Sequence, residues 1–287
     1  MRSRVIKFGG TSLGDAARIA RAAEAVRGAK AFVFSAGAGM GVDSGLPDFR
    51  GPEGFWRAYP PYRALGLAFE DMANPRWFRD DPGLAWGFYG HRLALYRRTR
   101  PHAGFDALRR WAARAPHGGF VFTSNVDGQF QRAGLDPDRV VECHGAIEYV
   151  QCAGGCEGIT RGDAVEVEVD EATFRARDPL PTCACGAPLR PNILMFGDWG
   201  WDEARTSEQQ RRLEAWLEVV AGEPLAIVEC GAGTAIPSVR RFSEGAARRY
   251  GGTLIRINLR EAHGPAGTIS LAMGARAALE AIDAALG

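Results

Sequence analysis

The sequence predicts an α/β protein built on a Rossmann-like, doubly wound parallel sheet, with a smaller inserted module. Three observations support this fold class. Short apolar runs of strand length recur along the chain, and most are followed at once by glycine or polar residues. Segments with a helical spacing of apolar residues separate these runs, as the alternating strands and helices of a parallel sheet require. One polar segment carries closely spaced cysteines, which are typical of a small metal-bound insert.

The elements follow from these patterns in order. Residues 31–34 form an apolar run that is too short for a helix and rich in strand-forming residues. Later in the chain, Ser207 and Gln210 form a capping box that predicts the start of a helix. The predicted strands are 31–34, 120–123, 140–142, 225–229 and 254–258, and the predicted helices are 12–28, 106–119 and 207–222, with proline-broken helices over 52–105.

The composition excludes several classes of protein. A formal net charge of +1 over 287 residues gives no electrostatic case for binding nucleic acid or an acidic membrane surface. No apolar stretch approaches the length of a membrane span, and the opening residues lack the apolar core of a secretory signal. We therefore expect a cytoplasmic protein, whose six cysteines bind metal or are buried rather than forming disulfides.

The first predicted strand runs directly into a glycine-dense turn. Gly37, Gly39 and Gly41 have no Cβ to hold a ligand off, so their backbone N–H groups can approach a pyrophosphate closely. The spacing differs from the usual GxGxxG, and a glycine cluster alone is as consistent with a plain loop as with a phosphate site.

The loop after this turn, residues 43–51, carries a carboxylate, an aromatic ring and a guanidinium side by side. Loops kept out of regular structure by proline and glycine carry function more often than packing. Turn and loop together read GAGMGVDSGLPDFRG, which resembles the NAD-binding signature GAGxSxxSGIPDFRG of the sirtuins, with Gly41 in place of Ser and Leu46 in place of Ile. The resemblance implies NAD contacts from Gly37, Ala38, Gly39, Asp48, Phe49 and Arg50.

The predicted strand over 120–123 is followed by polar side chains. In an open parallel sheet the carboxyl ends of the strands line the ligand crevice, so Asn125 and Asp127 are placed for chemistry. The segment TSNVDGQFQRAG resembles the sirtuin motif TQNxDxLHxxAG and implies that Ser124, Asn125 and Asp127 contact the nicotinamide side of NAD, with Asn125 catalytic. Ser124 stands where the family has Gln, which removes a ribose contact.

His144 follows the third predicted strand. A single histidine is more often structural than catalytic, but its pKa suits a base near neutral pH. The segment ECHGA resembles the sirtuin LHG motif, whose histidine is the general base, and this implies the same role for His144. Cys143 takes the Leu position of that motif, and we expect it to be a small buried hydrophobe rather than a nucleophile.

Tyr89 and Arg92 are spaced i, i+3, so on a helix both side chains face the same way. A phenol and a guanidinium so placed can hold a carboxylate by one hydrogen bond and a fork. A surface arginine beside a packed tyrosine would give the same pattern. The Tyr-x-x-Arg element resembles the one by which desuccinylase and demalonylase sirtuins recognise acidic acyl groups, which favours the binding interpretation.

Four cysteines form the second strong pattern. Two close pairs on either side of a polar insert can close a tetrahedral, structural zinc site, although neither pair has the commonest CxxC spacing. Sirtuins carry a zinc ribbon at this position. The predicted ligands are Cys152, Cys156, Cys183 and Cys185.

Three further segments complete the resemblance. NILMFGD at 192–198 is similar to the sirtuin strand that pairs with the acyl-lysine peptide, which implies substrate contacts from Phe196 and Gly197. GAGT at 231–234 stands where sirtuins have GTS and implies cofactor contacts from Gly231 and Gly233. Asn258, at the end of the last predicted strand, matches the adenosine-side Asn of the family.

The resemblance implies an NAD-dependent protein-lysine deacylase that releases nicotinamide and O-acyl-ADP-ribose, with acyl-lysine proteins as partners. Three alternatives remain open: an NAD glycohydrolase or protein ADP-ribosyltransferase, a non-catalytic NAD-binding module, and a small-molecule kinase, because KFGGTS at 7–12 resembles the opening of amino-acid kinases. The expected domains are an NAD-binding domain over 1–58, 104–148 and 190–287, and a small domain made of a helical module over 59–103 and a zinc-ribbon insert over 149–189.

Overall fold

The structure is a computed structural model that describes residues 13–47 and 51–287. The KFGGTS segment and the predicted cofactor contacts Asp48, Phe49 and Arg50 lie outside the described residues. The strands are β1 (Ala31–Ala36), β2 (Gly119–Thr123), β3 (Val140–Glu142), β4 (Gly145–Cys152), β5 (Ile159–Arg161), β6 (Val169–Asp170), β7 (Arg175–Ala176), β8 (Leu189–Ile193), β9 (Leu225–Cys230), β10 (Thr253–Ile257) and β11 (Ile269–Leu271). The helices are α1 (Leu13–Gly28), α2 (Gly51–Ala58), α3 (Pro60–Ala64), α4 (Phe69–Met72), α5 (Trp77–Asp80), α6 (Pro82–Arg98), α7 (Ala103–Arg114), α8 (Gln129–Arg132), α9 (Ala204–Val219), α10 (Ser238–Tyr250) and α11 (Ala275–Leu286).

A six-stranded parallel sheet forms the centre of the part of the chain that is described, in the order β11-β10-β9-β1-β2-β3. The chain starts in the middle at β1, adds β2 and β3 on one side, and then returns to add β9, β10 and β11 on the other. The order therefore reverses between β1 and β9, and a crevice at this point is where such sheets bind ligands. The predicted α/β fold class is confirmed.

The sheet is covered on both faces, as its nearly continuous apolar strands require. Along β1, Phe32 and Phe34 pack into the core shared with α1, α7 and α11, while Ala31 and Val33 face the core shared with α9 and α10. All six residues of β1 are buried. The alternation of side chains along a strand thus assigns three helices to one face and two to the other.

The start predicted for the helix over 207–222 is wrong. The helix α9 begins three residues earlier, at Ala204, with Glu203 as the N-cap residue, and Asp202 Oδ1 accepts a hydrogen bond from the Ala204 N–H at 3.0 Å in the turn that leads into it. The side chain of Thr206 donates to Glu142 O at 3.1 Å, so this first turn is also attached to the end of β3.

A second layer of structure packs beside the crevice. It combines helices α2 to α6 with an antiparallel sheet in the order β5-β4-β8 and the short ribbon β6-β7. Its core is rich in aromatic side chains that are fully buried, including Phe55, Tyr59, Tyr62, Trp86 and Phe88. The prolines at 60 and 82 open α3 and α6, where a missing N–H costs nothing.

No helix in the described ranges is both long and apolar enough to cross a membrane.

The close packing of α6 against the β6-β7 ribbon predicts a sharp effect at Gly87. A Cβ added there would lie 1.9 Å from the carbonyl oxygen of Phe174, which is backbone and cannot move aside without separating the two elements. We expect Gly87→Ala to lower the free energy of unfolding by roughly 1–3 kcal/mol or more, measured by urea denaturation.

Gly245→Ala on α10 is the matched control, because a Cβ there meets nothing within 4 Å. Replacing a glycine inside an exposed helix turn stabilises by up to about 1 kcal/mol. Equal stability of the two variants would contradict the packing that we describe.

Candidate functional site

A cleft of about 480 Å³ lies at the carboxyl ends of β1, β2 and β9, between the parallel sheet and the helical layer. This is the switch point of the sheet. Most residues that the sequence singled out line this cleft: Gly37, Ala38, Tyr89, Arg92, Ser124, Asn125, Asp127, His144, Phe196, Gly231 and Gly233.

Two glycine turns meet on the sheet side of the cleft. Gly231 has φ of +65°, and a Cβ there would lie 2.3 Å from the backbone of Gly39. A Cβ on Gly37 would lie 2.8 Å from Cα of Ala232. The turns are joined directly by a hydrogen bond from Gly39 N to Gly231 O at 3.1 Å. Glycine is therefore required on both sides for the backbones to approach this closely.

Ala38 begins a short 3₁₀ helix, Ala38–Met40, immediately after Gly37. The Gly39 N–H donates to Gly231 O and the Met40 N–H to Gly37 O, so the Ala38 N–H on the cleft wall is the one that suits a phosphate oxygen. The residues present thus fit the phosphates of a dinucleotide, with Ala38 on the cleft wall and Gly39 behind it in contact with the second turn.

Asn125 connects β2 to this turn. Its side-chain Nδ2 donates to Gly37 O at 3.0 Å, and its backbone N–H donates to Thr123 Oγ1 at 3.0 Å. The hydroxyl of Thr123 in turn donates to Ala36 O at 3.0 Å. The amide of Asn125 is therefore held in one orientation at the cleft wall.

Asp127 is buried, with one oxygen accepting from the Gln129 N–H at 3.0 Å. Burial raises the pKa of its carboxyl to about 6, because the charged form loses hydration. A Cβ at Gly41 would lie 3.6 Å from the other carboxylate oxygen. The nearest neighbours of this Cβ would be Cδ1 and Cβ of Leu46, at 3.2 and 3.4 Å, so a side chain at position 41 would lie against Leu46 beside Asp127.

His144 is half-buried at the end of the short turn after β3 and faces the cleft. Burial lowers the pKa of its imidazole below 6.5, so the ring is neutral at pH 7 and able to accept a proton. Ser238 Oγ lies 3.4 Å from His144 Nε2. The neighbouring Cys143 packs against the core, and burial raises the pKa of its thiol to about 12, which agrees with a structural role for that residue.

Helix α6 brings a phenol and a guanidinium to the opposite wall. Both Tyr89 and Arg92 are buried and line the cleft, as their spacing requires. The Tyr89 hydroxyl has no hydrogen-bond partner among the described residues, and burial raises its pKa to about 12, so it is a neutral donor. Arg92 donates from Nε and Nη2 to Tyr96 Oη at 3.0 and 2.8 Å.

The segment after β8 forms the rim of the cleft. Phe196 is 38% exposed there, and Gly197, with φ of +67°, makes the turn that follows. Leu194 N donates to His144 O at 3.0 Å and Phe196 N to Ala73 O at 2.8 Å. A peptide added along this segment must therefore be held by other atoms than these two N–H groups. Its role in substrate binding stays a prediction.

Asn258 lies behind the cleft rather than on its wall. It is buried, and its Nδ2 donates to Ala232 O at 2.8 Å, while its Oδ1 accepts from the N–H groups of Arg260 and Glu261 at 3.0 Å. These bonds fix the second glycine turn and the loop after β10. A direct contact between Asn258 and the cofactor stays a prediction.

The four cysteines come together away from the cleft. Cys152 ends β4, and Cys183 and Cys185 lie in the turn before β8. The sulfur atoms of these three and Cys156 lie within 4.8 Å of one another, with Cys152 and Cys185 3.6 Å apart. Zinc–thiolate bonds of about 2.3 Å in a tetrahedron place sulfurs roughly 3.8 Å apart, so this set fits a closed, structural zinc site.

Tyr96, which lines the cleft, and Ser238, which contacts His144, were not predicted from the sequence. Tyr96 stands four residues after Arg92, and its position on the same helix face could have been read from the spacing. Ser238 follows the second glycine turn at the start of α10, and nothing in its local sequence links it to His144.

The fold and the cleft define an α/β protein with a dinucleotide site and a neutral histidine beside it. The family model described as Sir2 family matches residues 37–227. The chain belongs to the Sir2 family, the sirtuins, which confirms the resemblance drawn from its motifs.

Curated relatives and solved structures agree with this assignment. The chain is 31% identical over 228 residues to NAD-dependent protein deacylase 2 of Pyrobaculum aerophilum, covering 79% of each chain. It is 30% identical over 187 residues to the mitochondrial NAD-dependent protein deacylase sirtuin-5 of Canis lupus familiaris, covering 59% of this chain and 57% of that one. A mutant Sir2 homologue in complex with ADP-ribose superposes with a TM-score of 0.70 at 25% identity, covering 93% of this chain and 95% of the other. A Sir2 homologue in complex with NAD gives 0.68 at 25% identity, with 93% and 94% covered.

The cysteine cluster predicts about one zinc ion per chain. We expect Cys183→Ser to lower the zinc content and the thermal stability of the protein, because a structural site contributes folding free energy. Inductively coupled plasma mass spectrometry of the purified protein measures the metal. Cys143→Ala is the control, because Cys143 packs against the core outside the cluster, and it should keep the zinc. Wild-type protein without zinc would contradict this assignment.

Proposed function

We propose that this protein is an NAD-dependent protein-lysine deacylase that prefers acidic acyl groups such as succinyl or malonyl and also accepts acetyl. The products are lysine, nicotinamide and O-acyl-ADP-ribose, and the partners are acyl-lysine proteins or peptides. One observation carries the proposal: a single cleft holds a neutral histidine and a dinucleotide turn on one wall, and Tyr89 with Arg92 on the other. Membership of the Sir2 family and the deacylase relatives support it.

The two glycine turns would hold NAD, which is consumed as a substrate and supplies an electrophilic ribose carbon. The Asn125 side chain is held by its hydrogen bond to Gly37 O. Its amide is therefore already in place to orient the nicotinamide end of NAD, and no free energy is spent on ordering it during the reaction. The acyl carbonyl oxygen attacks the ribose carbon as nicotinamide leaves.

His144 is the general base of the second part of the reaction. Its imidazole is neutral at pH 7, because burial lowers its pKa, and it faces the cleft. It accepts a proton from a ribose hydroxyl, and the oxygen so activated attacks the carbon that came from the acyl carbonyl. The lysine amine then leaves with a proton, and water adds to the same carbon, so that the acyl group stays on the ribose oxygen. Histidine suits this step because its charged and neutral forms differ little in free energy near the working pH.

The acyl preference follows from the opposite wall. A guanidinium stays charged in proteins, and Tyr89 offers a neutral hydroxyl donor that has no partner among the described residues. A carboxylate at the end of the acyl chain would satisfy that donor and pair with Arg92. An acetyl group offers neither interaction, so its binding would rest on shape and apolar contact alone.

NAD glycohydrolysis or protein ADP-ribosylation is the second candidate function. The observation that favours it is the glycine at position 41, beside Asp127, where the family has a side chain. Free ADP-ribose formed from NAD in the absence of any acyl peptide, detected by mass spectrometry, would establish this activity.

Removal of the base gives the first test of the deacylase. We expect His144→Ala to lower kcat/KM by roughly 10²–10⁴-fold, because the imidazole that takes the ribose proton is lost. In the wild type, kcat/KM should rise with pH and reach half its plateau below pH 6.5, since burial lowers the pKa of His144 and the base works in its neutral form. The measurement is nicotinamide release from pH 5 to 8.

Cys143→Ala controls for disturbance of the same turn, and it should leave both the rate and the pH profile as in the wild type, because Cys143 packs away from the cleft. Near-normal turnover of the His144→Ala protein would exclude His144 as the base.

The acyl preference is tested by Arg92→Met, which keeps an unbranched apolar side chain and removes the guanidinium with its charge. We expect the ratio of kcat/KM for a succinyl-lysine peptide over the matched acetyl-lysine peptide to fall by roughly tenfold or more, as the loss of a charge-assisted pair predicts. Mass spectrometry of O-succinyl- and O-acetyl-ADP-ribose follows both reactions. Equal losses on the two peptides would show that Arg92 has only a structural role.

A further inference from the structure

Tyr96 holds the guanidinium of Arg92 through its hydroxyl oxygen. The two residues are four apart on α6, and Arg92 donates to Tyr96 Oη from Nε at 3.0 Å and from Nη2 at 2.8 Å. Both side chains are buried, with 6% of Arg92 and 5% of Tyr96 exposed, and both line the cleft. We propose that Tyr96 is a positioning residue that sets the orientation of Arg92 for the carboxylate of an acidic acyl group, an inference that rests on the proposed function.

The aromatic rings around Arg92 do not set that orientation. The guanidinium carbon lies 5.1 Å from the ring centroid of Phe88, 5.7 Å from that of Tyr89 and 6.0 Å from that of Phe69. The attraction between a cation and a ring face changes little when the guanidinium turns within the space between the rings. Two hydrogen bonds into one oxygen atom fix both the plane and the direction of the fork.

The direction of the fork matters because a carboxylate is planar and binds a guanidinium best edge to edge. Tyr96 lies one turn after Arg92, and Tyr89 lies one turn before it, so the two phenols flank the cation on one helix face. Without the Tyr96 hydroxyl, Arg92 would lose the two hydrogen bonds that fix its fork, and the added cost of ordering it on the substrate would appear as weaker binding. An acetyl group makes no use of this arrangement.

Tyr96→Phe tests the inference, because it removes one oxygen atom and keeps the ring that lines the cleft. Tyr62→Phe is the matched control: its hydroxyl is also buried in the helical layer, but it donates to Phe174 O at 3.0 Å away from the cleft. Four variants are compared with the wild type: Tyr96→Phe, Tyr62→Phe, Arg92→Met and the double variant Tyr96→Phe, Arg92→Met. The measurements are steady-state kinetics on matched succinyl- and acetyl-lysine peptides, and calorimetric binding of the succinyl peptide.

We expect Tyr96→Phe to lower the succinyl-to-acetyl ratio of kcat/KM by roughly three- to tenfold, mainly through KM, and to weaken succinyl-peptide binding by a similar factor. Tyr62→Phe should keep the wild-type ratio. In the double variant, the loss should be no larger than in Arg92→Met alone, because Tyr96 acts through Arg92.

Three results would overturn the inference in distinguishable ways. A wild type without any preference for the succinyl peptide would remove both the acidic-acyl preference and the role of Tyr96. If the wild type prefers the succinyl peptide, two results would overturn the role of Tyr96 alone. One is a Tyr96→Phe variant that keeps the wild-type ratio of kcat/KM. The other is a double variant whose loss is larger than that of Arg92→Met by itself.

Discussion

The approach of two glycine turns is the constraint on which the cleft depends. The strands β1 and β9 are neighbours at the switch point of the sheet, so the turns that follow them begin side by side. The two turns are in contact, with Gly39 N donating a hydrogen bond to Gly231 O. A single Cβ on Gly231 would meet backbone at 2.3 Å. The contact fixes the wall against which a dinucleotide would lie, and Asn125 and Asn258 then hold this wall from either side by hydrogen bonds to Gly37 O and Ala232 O.

The opposite wall depends on a different close approach. Helix α6 carries the residues that face the cleft, but it is held in place from behind, where Gly87 and Gly90 let the β6-β7 ribbon pack directly on the helix backbone. In the chain, this ribbon lies between β5 and β8 of the antiparallel sheet. The same sheet carries one ligand of the cysteine cluster, Cys152, at the end of β4. Under the proposed function, a structural metal remote from the cleft would thus affect acyl recognition through the positions of α6 and of the rim after β8.

Much of this arrangement could be predicted from the sequence, because strand ends in a parallel sheet converge wherever the strands themselves lie in the chain. Asn125 and His144 were found in that way, and Tyr89 and Arg92 follow from helical spacing. Ser238 could not be predicted, since its neighbour in space, His144, is 94 residues away. The predicted start of α9 is wrong for a related reason: the first turn is held by the Asp202 turn and by the bond from Thr206 to Glu142 O, and the second of these partners lies far away in the sequence.

The electrostatics of the cleft explain how the two walls can serve one reaction. Burial acts in the same sense on three titratable groups of the cleft, since it favours the neutral form: the pKa of His144 falls, while those of Tyr89 and Asp127 rise. Arg92 is the exception, because a guanidinium does not lose its proton in a protein. The cleft therefore has a neutral base at one end and a fixed cation at the other. A substrate that carries its negative charge at the tip of the acyl chain complements the cation and leaves the base free to accept a proton.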